Sequence, residues 1–201
     1  MSQKLEKQTV KVNGVEIAYR FDGPSDGHVV FMANSLMSDC SMWDWNVPAL
    51  TDRYRVLRFD KRGHGASEIT PAPYSIPRLA DDAIALLDAL KIDKVHFIGL
   101  SMGGMIGQQL GARYPERVYS LSLCDTASEM PPRSLWEERF EIARKEGIAG
   151  LVDGTIKRWF TAPFIERAPQ DIAKVREMIL GTKFEGYLGC ASAVRDMAQT
   201  T

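Results

Sequence analysis

The sequence predicts an α/β fold in which a mostly parallel, twisted sheet carries helices on both faces. Three observations support this prediction. Six segments have the composition of β-strands, helical patterns separate the later ones, and strands that alternate with helices are typical of a parallel sheet. The chain has 201 residues, of which 45% are hydrophobic, and this is enough for one globular domain with a sizeable core.

The predicted sheet begins with an antiparallel pair. Its two strands, 9–12 and 15–21, are separated by Asn13 and Gly14, a dipeptide typical of type I′ hairpin turns. The other segments of strand composition are 28–32, 54–59, 94–98 and 118–124.

Two helices are predicted between the later strands. Apolar residues in 76–90 recur at spacings of three and four, which places them on one face of a helix. These residues are Leu79, Ala83, Leu86, Leu87 and Leu90. A second helix is predicted over 102–114, and it ends at the boundary set by Pro115.

The character of the sequence changes after Asp125. The helical patterns there are 135–145, 148–160, 168–180 and 186–197, and no strand-like segment lies among them. We therefore predict a core over residues 1–125 and a helical cap region over residues 126–201.

Composition excludes several classes of function. The chain has 25 Lys and Arg against 26 Asp and Glu, without a long block of either sign, which argues against nucleic acid or a membrane surface as partner. The first residues are polar and no apolar segment is long enough to span a membrane, so we expect a cytoplasmic protein. The three widely spaced cysteines match neither a disulfide framework nor a metal site, and we expect buried or half-buried thiols.

A serine nucleophile is predicted at the end of the fifth strand. Gly99, Ser101 and Gly103 form the pattern G-x-S-x-G between this strand and the following helix. The turn from strand to helix is so tight that side chains on either side of the serine would collide, which explains both glycines. The hydroxyl of Ser101 is then presented in a strained conformation, and the amide of Met102 is placed to donate to an oxyanion.

A second oxyanion donor is expected in the loop that follows the third strand. This loop is small and polar at Asn34 and Ser35, and the amide of Leu36 is the predicted donor. An ordinary strand-to-helix loop is the alternative. The segment "FDKRGHGAS" admits two interpretations as well: His64 as a catalytic base, or a glycine-rich loop that braces its own turn.

Several segments together resemble a known family. They are "HFIGLSMGGMIGQQLGARYPERV", "FDKRGHGAS", "NSL", "SLCDTA", "LVDGTIKRWFTAPF" and "EGYLGCASAVRDM". The sequence is similar, from about residue 8 to 197, to the α/β-hydrolase superfamily and within it to the 3-oxoadipate enol-lactonases. The resemblance implies an α/β-hydrolase fold with a helical cap, Ser101 as nucleophile, and the amides of Leu36 and Met102 as oxyanion hole. It also implies opening of a small carboxylated enol-lactone in bacterial aromatic catabolism, without a metal or an organic cofactor.

The sequence departs from this family in one place. The family order is nucleophile, acid and then histidine, whereas His28, His64 and His96 all precede Ser101. We expect this chain to be the N-terminal portion of a longer hydrolase, lacking its C-terminal strands. A companion fragment carrying the acid and the histidine would be a separate chain after cleavage, or it would be absent. Without those strands, segment 118–124 would be an exposed hydrophobic edge.

Asp125 is a further candidate for the acid, because some relatives of the superfamily carry their acid at the end of this strand. The alternative is a loop residue that caps the next helix.

The implied substrate carries a carboxylate, and a guanidinium in the cap suits it best. Arg139 with Trp136 is the preferred pair, because a spacing of three puts both on one helix face. The other candidates are Arg133, Arg158 and Trp159, and each is open to interpretation as a surface charge or a core aromatic residue. Three functions stay open: the lactonase, a broad carboxylesterase of the same fold, and a chain that kept the pocket without catalysis.

Overall fold

A six-stranded sheet forms the centre of the computed structural model, which describes residues 7–130 and 132–199. Its strands are β1 (Gln8–Val12), β2 (Val15–Asp22), β3 (His28–Ala33), β4 (Tyr54–Phe59), β5 (Val95–Leu100) and β6 (Val118–Cys124). All six predicted strands are confirmed, with ends that shift by no more than two residues. The order across the sheet is β1-β2-β4-β3-β5-β6. Strands β3 to β6 are mutually parallel, and the predicted mostly parallel sheet is confirmed.

The antiparallel start of the sheet follows from its turn. Asn13 and Gly14 both have positive φ, 48° and 73°, as a type I′ turn requires. Val12 lies opposite Val15, and β2 then pairs antiparallel with β4.

Helices α1 (Ile76–Ala89) and α2 (Met102–Arg113) pack against each other and against one face of the sheet. Helix α1 begins at a serine cap, because the Ser75 hydroxyl accepts a hydrogen bond from the amide of Arg78. The opposite sheet face carries a small apolar cluster that includes Val30, Met32 and Val56, and short 3₁₀ turns at Cys40–Trp43 and Val47–Ala49 contribute to it.

Strand β6 is the edge of the sheet in the described chain. Tyr119 is 53% exposed and Leu123 is 39% exposed, as expected for an uncovered hydrophobic edge. Cys124 ends this strand and is exposed, so the prediction of three buried or half-buried thiols is wrong for this residue. Cys40 and Cys190 are buried.

Five helices follow β6. They are α3 (Arg133–Glu146), α4 (Ala149–Trp159), α5 (Ala162–Arg167), α6 (Pro169–Leu180) and α7 (Phe184–Arg195). Helix α5 is not among the predicted helices: proline breaks a helix in its interior, but Pro163 lies in the first turn of α5, where proline fits. Residues of these helices share one hydrophobic cluster with the sheet and α1, and the division at residue 125 stays a prediction. No helix in the described ranges is long and apolar enough to cross a membrane.

Candidate active site

Ser101 occupies a strained turn between β5 and α2. Its φ of 53° and ψ of −113° are unusual for a residue with a side chain. The amide of Ser101 donates to the carbonyl of Cys124 at 2.8 Å, and the Thr126 hydroxyl donates to the carbonyl of Ser101 at 2.8 Å. Two contacts from the end of β6 therefore hold the backbone of Ser101 in this conformation.

Backbone crowding requires both glycines of the motif. A Cβ on Gly99 would lie 2.3 Å from the carbonyl oxygen of Gly103. A Cβ on Gly103 would lie 2.1 Å from the carbonyl oxygen of Ala33 in β3. The steric prediction is confirmed, because the atoms in the way belong to the backbone and cannot rotate aside.

A cavity of about 1300 Å³ adjoins the serine. Ser101, Leu36, Asp125, Trp136 and Arg139 all line it, so the structure brings together five of the six residues that are the preferred candidates from the sequence. The sixth, Met102, is buried and is the first residue of α2, so its amide lies at the helix N-terminus next to Ser101.

The amides of the loop after β3 have different partners. The amide of Ser35 donates to Sδ of Met42 at 3.4 Å, and the amide of Met37 donates to Nε2 of His64 at 3.0 Å. Between them, the amide of Leu36 has no hydrogen-bond partner within residues 7–130 and 132–199. An unpaired amide beside the cavity is what an oxyanion hole requires.

Two guanidinium groups line the same cavity without an acidic partner in the described chain. Arg139 lies over the ring of Trp136, 4.8 Å from its centroid, and its Nε is buried without a hydrogen bond. Arg158 donates to the Thr155 hydroxyl at 3.0 Å, and burial together with the neighbouring Arg139 charge lowers the pKa of Arg158. Such a pair of cations is suited to a carboxylate.

The remaining cap candidates differ in where they point. Arg133 is excluded from the site, because it is exposed and pairs with Asp196 at 2.7 Å. Trp159 lines the cavity. Tyr187 was missed from the sequence: it is fully buried, burial raises its pKa, and the charge and hydrogen bonding of Arg139 beside it oppose this rise. No sequence signal separates it from a core tyrosine.

None of the chain's three histidines lines the cavity, and all three lie in the described ranges. The rings of His28 and His96 lie 6.3 Å apart, beside Tyr119 on β6. His64 is buried, with Nε2 occupied by the amide of Met37, so the interpretation of His64 as catalytic base is not supported.

Asp125 lies at the cavity wall, directly after β6. It has a positive φ of 41° and is exposed to solvent. The expectation that it caps the next helix is wrong, because α3 begins after Pro132. Its carboxylate thus remains a candidate for the acid.

A candidate metal site consists of three residues that each offer one ligand atom, with all three atoms within 4.8 Å of one another. These residues are Asp39, Cys40 and Asp60. The Asp60 carboxylate already accepts from Lys7 at 2.7 Å and from the amides of Cys40 and Ala66. Burial, with the Asp60 charge adding to it, raises the pKa of the Cys40 thiol to about 12. Asp60 and the backbone of Cys40 are therefore joined in a structural hydrogen bond, and Asp39 accepts from the amide of Ser41; a metal would require the Cys40 thiolate, which the raised pKa disfavours.

Comparisons with known proteins identify the family of the chain. The sequence profile of the alpha/beta hydrolase fold matches residues 30–156. The chain is 35% identical over 190 residues to "3-oxoadipate enol-lactonase 2" of Acinetobacter baylyi, covering 94% of this chain and 71% of that protein. The crystal structure of the enol-lactonase from Burkholderia xenovorans LB400 superposes with a TM-score of 0.92 at 41% identity, covering 94% of this chain and 74% of that one. A thermophilic esterase from Thermogutta terrifontis, with malate bound, superposes with a TM-score of 0.88 at 28% identity, covering 98% of this chain and 74% of that one.

Proposed function

Since the chain belongs to the α/β-hydrolase fold family, we propose that it carries the nucleophile, oxyanion hole and cap of a serine hydrolase that opens a small carboxylated enol-lactone. The substrate is of the 3-oxoadipate enol-lactone type, and the proposed setting is the cytoplasm of a bacterium that degrades aromatic compounds. One observation carries the proposal: the cavity beside Ser101 is lined by two guanidinium groups, of Arg139 and Arg158, without an acidic partner in the described chain.

The proposed reaction is acyl transfer to Ser101. Its Oγ attacks the lactone carbonyl carbon, and the amides of Leu36 and Met102 donate to the resulting oxyanion. The ring C–O bond then breaks, the leaving enol oxygen takes the proton that the general base removed from Ser101, the enol tautomerises to the ketone, and an acyl-serine remains. Water attacks this ester, releases the ring-opened 3-oxo acid and restores the hydroxyl. One oxyanion donor is worth about 3 kcal/mol in other hydrolases, and no step uses a metal or an organic cofactor.

The cap supplies substrate recognition in this proposal. The substrate carboxylate lies between the guanidinium groups of Arg139 and Arg158, and Trp136 forms the wall beside them. A cation that burial has desolvated gains more free energy from a bound anion than a cation in water does. The lowered pKa of Arg158 reflects such desolvation, and this supports Arg158 as part of the carboxylate site.

The general base is assigned to a segment outside these 201 residues, on the same polypeptide or on a companion fragment. Ser101 needs an imidazole, and the three histidines of this chain lie outside the cavity. The exposed edge of β6, which ends at Cys124 beside Ser101, is where a segment carrying the acid and the histidine would pair. Asp125 is the alternative acid. Intact mass measurement of the protein from its natural source tests this assignment, because a 22.5 kDa species without a companion would contradict it.

A broad carboxylesterase is the second candidate function, favoured by the similarity to the Thermogutta terrifontis esterase. The same serine and oxyanion hole would act on an open-chain ester. Turnover of the enol-lactone is to be compared with turnover of p-nitrophenyl acetate, which lacks a carboxylate. A value of kcat/KM at least tenfold higher for the lactone supports the lactonase, and equal values support the esterase.

The test of serine chemistry is covalent labelling. A fluorophosphonate probe reacts with an activated serine, so wild-type protein with its companion should be labelled on the peptide that contains Ser101. The Ser101→Ala variant is the matched control and should remain unlabelled. Wild-type protein that is not labelled, while a known serine hydrolase in the same solution is, would show a chain without catalysis.

A further inference from the structure

We propose that His64 and Lys61 are positioning residues of the oxyanion hole. They hold peptide groups of the loop over residues 35–38 from its buried side, and this aims the amide of Leu36 at the cavity. The inference rests on the proposed function, since it concerns the donor that would stabilise the oxyanion at Ser101.

The first contact is between His64 and Met37. Both residues are buried, and the amide of Met37 donates to Nε2 of His64 at 3.0 Å. A ring nitrogen that accepts a hydrogen bond carries no proton, so the geometry assigns a neutral imidazole with its proton on Nδ1. Nδ1 is buried, and the backbone of Arg62 is the hydrogen-bonding group beside the ring that favours a proton on it. The ring is thus held on its own loop while Nε2 holds the amide of Met37.

The second contact is made by Lys61, which is also buried. Its Nζ donates to the carbonyl of Ser35 at 2.6 Å and to the carbonyl of Ser38 at 3.3 Å. The hydroxyl of Ser38 donates to the same Ser35 carbonyl at 2.8 Å. One ammonium group thus joins the two ends of the loop, and the Ser35 carbonyl that it contacts belongs to the same peptide group as the Leu36 amide.

The loop needs such support because its backbone is strained. Met37 has a φ of 62°, a left-handed conformation that a residue with a long side chain adopts only when its surroundings impose it. A loop that lost the His64 contact would relax toward a negative φ at Met37. The neighbouring amide of Leu36 would then turn, and an oxyanion donor acts only when its direction is set in advance.

The segment "DKRGH" therefore forms hydrogen bonds to the neighbouring loop as well as within its own turn. Within its own turn, the amide of His64 donates to the carbonyl of Lys61 at 3.0 Å. Toward the other loop, the carboxylate of Asp60 accepts from the amide of Cys40 at 2.7 Å. Asp60, Lys61 and His64 thus each contact a different point of residues 35–40.

Two variants at His64 separate positioning from simple loss of a side chain. His64→Leu removes the acceptor, whereas the side-chain oxygen in His64→Gln reaches about as far as Nε2. His28→Leu makes the same chemical change at an exposed histidine outside the cavity. The readouts are hydrogen exchange of the Leu36 and Met37 amides by NMR, and the rate of Ser101 labelling by a fluorophosphonate, whose phosphoryl oxygen occupies the oxyanion hole.

We expect His64→Leu to speed exchange of the Met37 amide at least about tenfold. It should also slow labelling of Ser101 by about tenfold to 10²-fold, and the upper value corresponds to the loss of one oxyanion donor. His64→Gln should restore most of both effects, and His28→Leu should match the wild type. A His64→Leu protein with unchanged exchange and unchanged labelling overturns the inference.

The outcomes also separate this inference from the proposed function. If the wild-type protein is not labelled, the proposed serine chemistry is contradicted. The hydrogen-exchange data alone then test the contact between His64 and the loop. Faster exchange confined to the 35–38 loop and reversed in His64→Gln supports the contact, whereas equal exchange overturns it. If His64→Leu does not fold, the wild type decides: scalar coupling across the hydrogen bond between the Met37 amide nitrogen and Nε2 of His64 is expected, and its absence contradicts the inference.

Discussion

The guanidinium of Arg139 lies over the indole of Trp136, one turn earlier on α3, at the wall of the cavity that Ser101 also lines. The stacking holds the cation in place while its buried Nε stays without a hydrogen bond in the described chain. Helix α3 thus contributes an aromatic ring and a cation without an acidic partner in the described chain to the cavity wall, and this combination suits an anionic group of a ligand.

Arg139→Ala should raise KM for the carboxylated lactone by about tenfold to 100-fold, since a charge-assisted hydrogen bond is worth about 1.5–3 kcal/mol. KM for p-nitrophenyl acetate should change less than about twofold, because that ester has no anion to bind. Steady-state kinetics of the assembled enzyme measures both. Arg133→Ala removes a surface arginine from the same helix and should leave both substrates unaffected. An equal rise for the two substrates contradicts the role of Arg139.

Gly103→Ala should destabilise the protein by about 1–3 kcal/mol, because the new methyl group would lie 2.1 Å from the carbonyl oxygen of Ala33. The turn would have to open, and labelling of Ser101 should fall as well. Urea unfolding measures the stability. Gly154→Ala, in α4, is the control, since its methyl group meets only an Arg158 nitrogen at 3.5 Å and helix propensity favours alanine by about 1 kcal/mol. Equal stability of the two variants would show that the turn is not crowded.

His64 should make the protein less stable as the pH falls from about 6.5 toward 5. Burial holds the pKa of His64 well below its usual range, and the nearby Lys61 charge adds to this. In this window the unfolded chain binds a proton at this position and the folded chain does not. The free energy of unfolding therefore decreases as the pH is lowered, by up to about 1.4 kcal/mol per pH unit.

Urea titrations between pH 5 and 7.5 measure this effect, with His64→Gln as the comparison. The variant keeps a hydrogen-bond acceptor but does not titrate, so its stability should change less over this range. Parallel curves for the two proteins would mean that another group causes the acid sensitivity.

Asp82→Ala should cost about 3–5 kcal/mol of stability. Its carboxylate accepts from Nε and Nη2 of Arg62 at 2.7 Å each, and both side chains are buried, so removing the acid leaves an uncompensated charge. Asp171→Ala breaks an exposed pair with Lys174 and should cost less than about 1 kcal/mol. Denaturant unfolding compares the two, and a similar cost for both would show that the Arg62 charge reaches water.

Much of the fold could be predicted because its signals are local. The Asn13-Gly14 turn, the strand segments and the spacing of Gly99 and Gly103 each depend on residues close in the sequence. Helix α5 was missed because a proline marks both the break of one helix and the first turn of another. The exposure of Cys124 was missed because strand composition does not say which strand lies at the edge.

By itself, the sequence determined the six strands, the serine turn and the pairing of Arg139 with Trp136 on one helix face. The tertiary structure decided which distant groups meet there. It brought Arg158 and Tyr187 toward Arg139, and it put His64 behind the loop of Leu36 instead of beside Ser101. The physical reason is that turns and helix faces follow from steric and torsional preferences over a few residues. Contacts across 20 to 100 positions, by contrast, depend on how the helices and loops pack on the sheet.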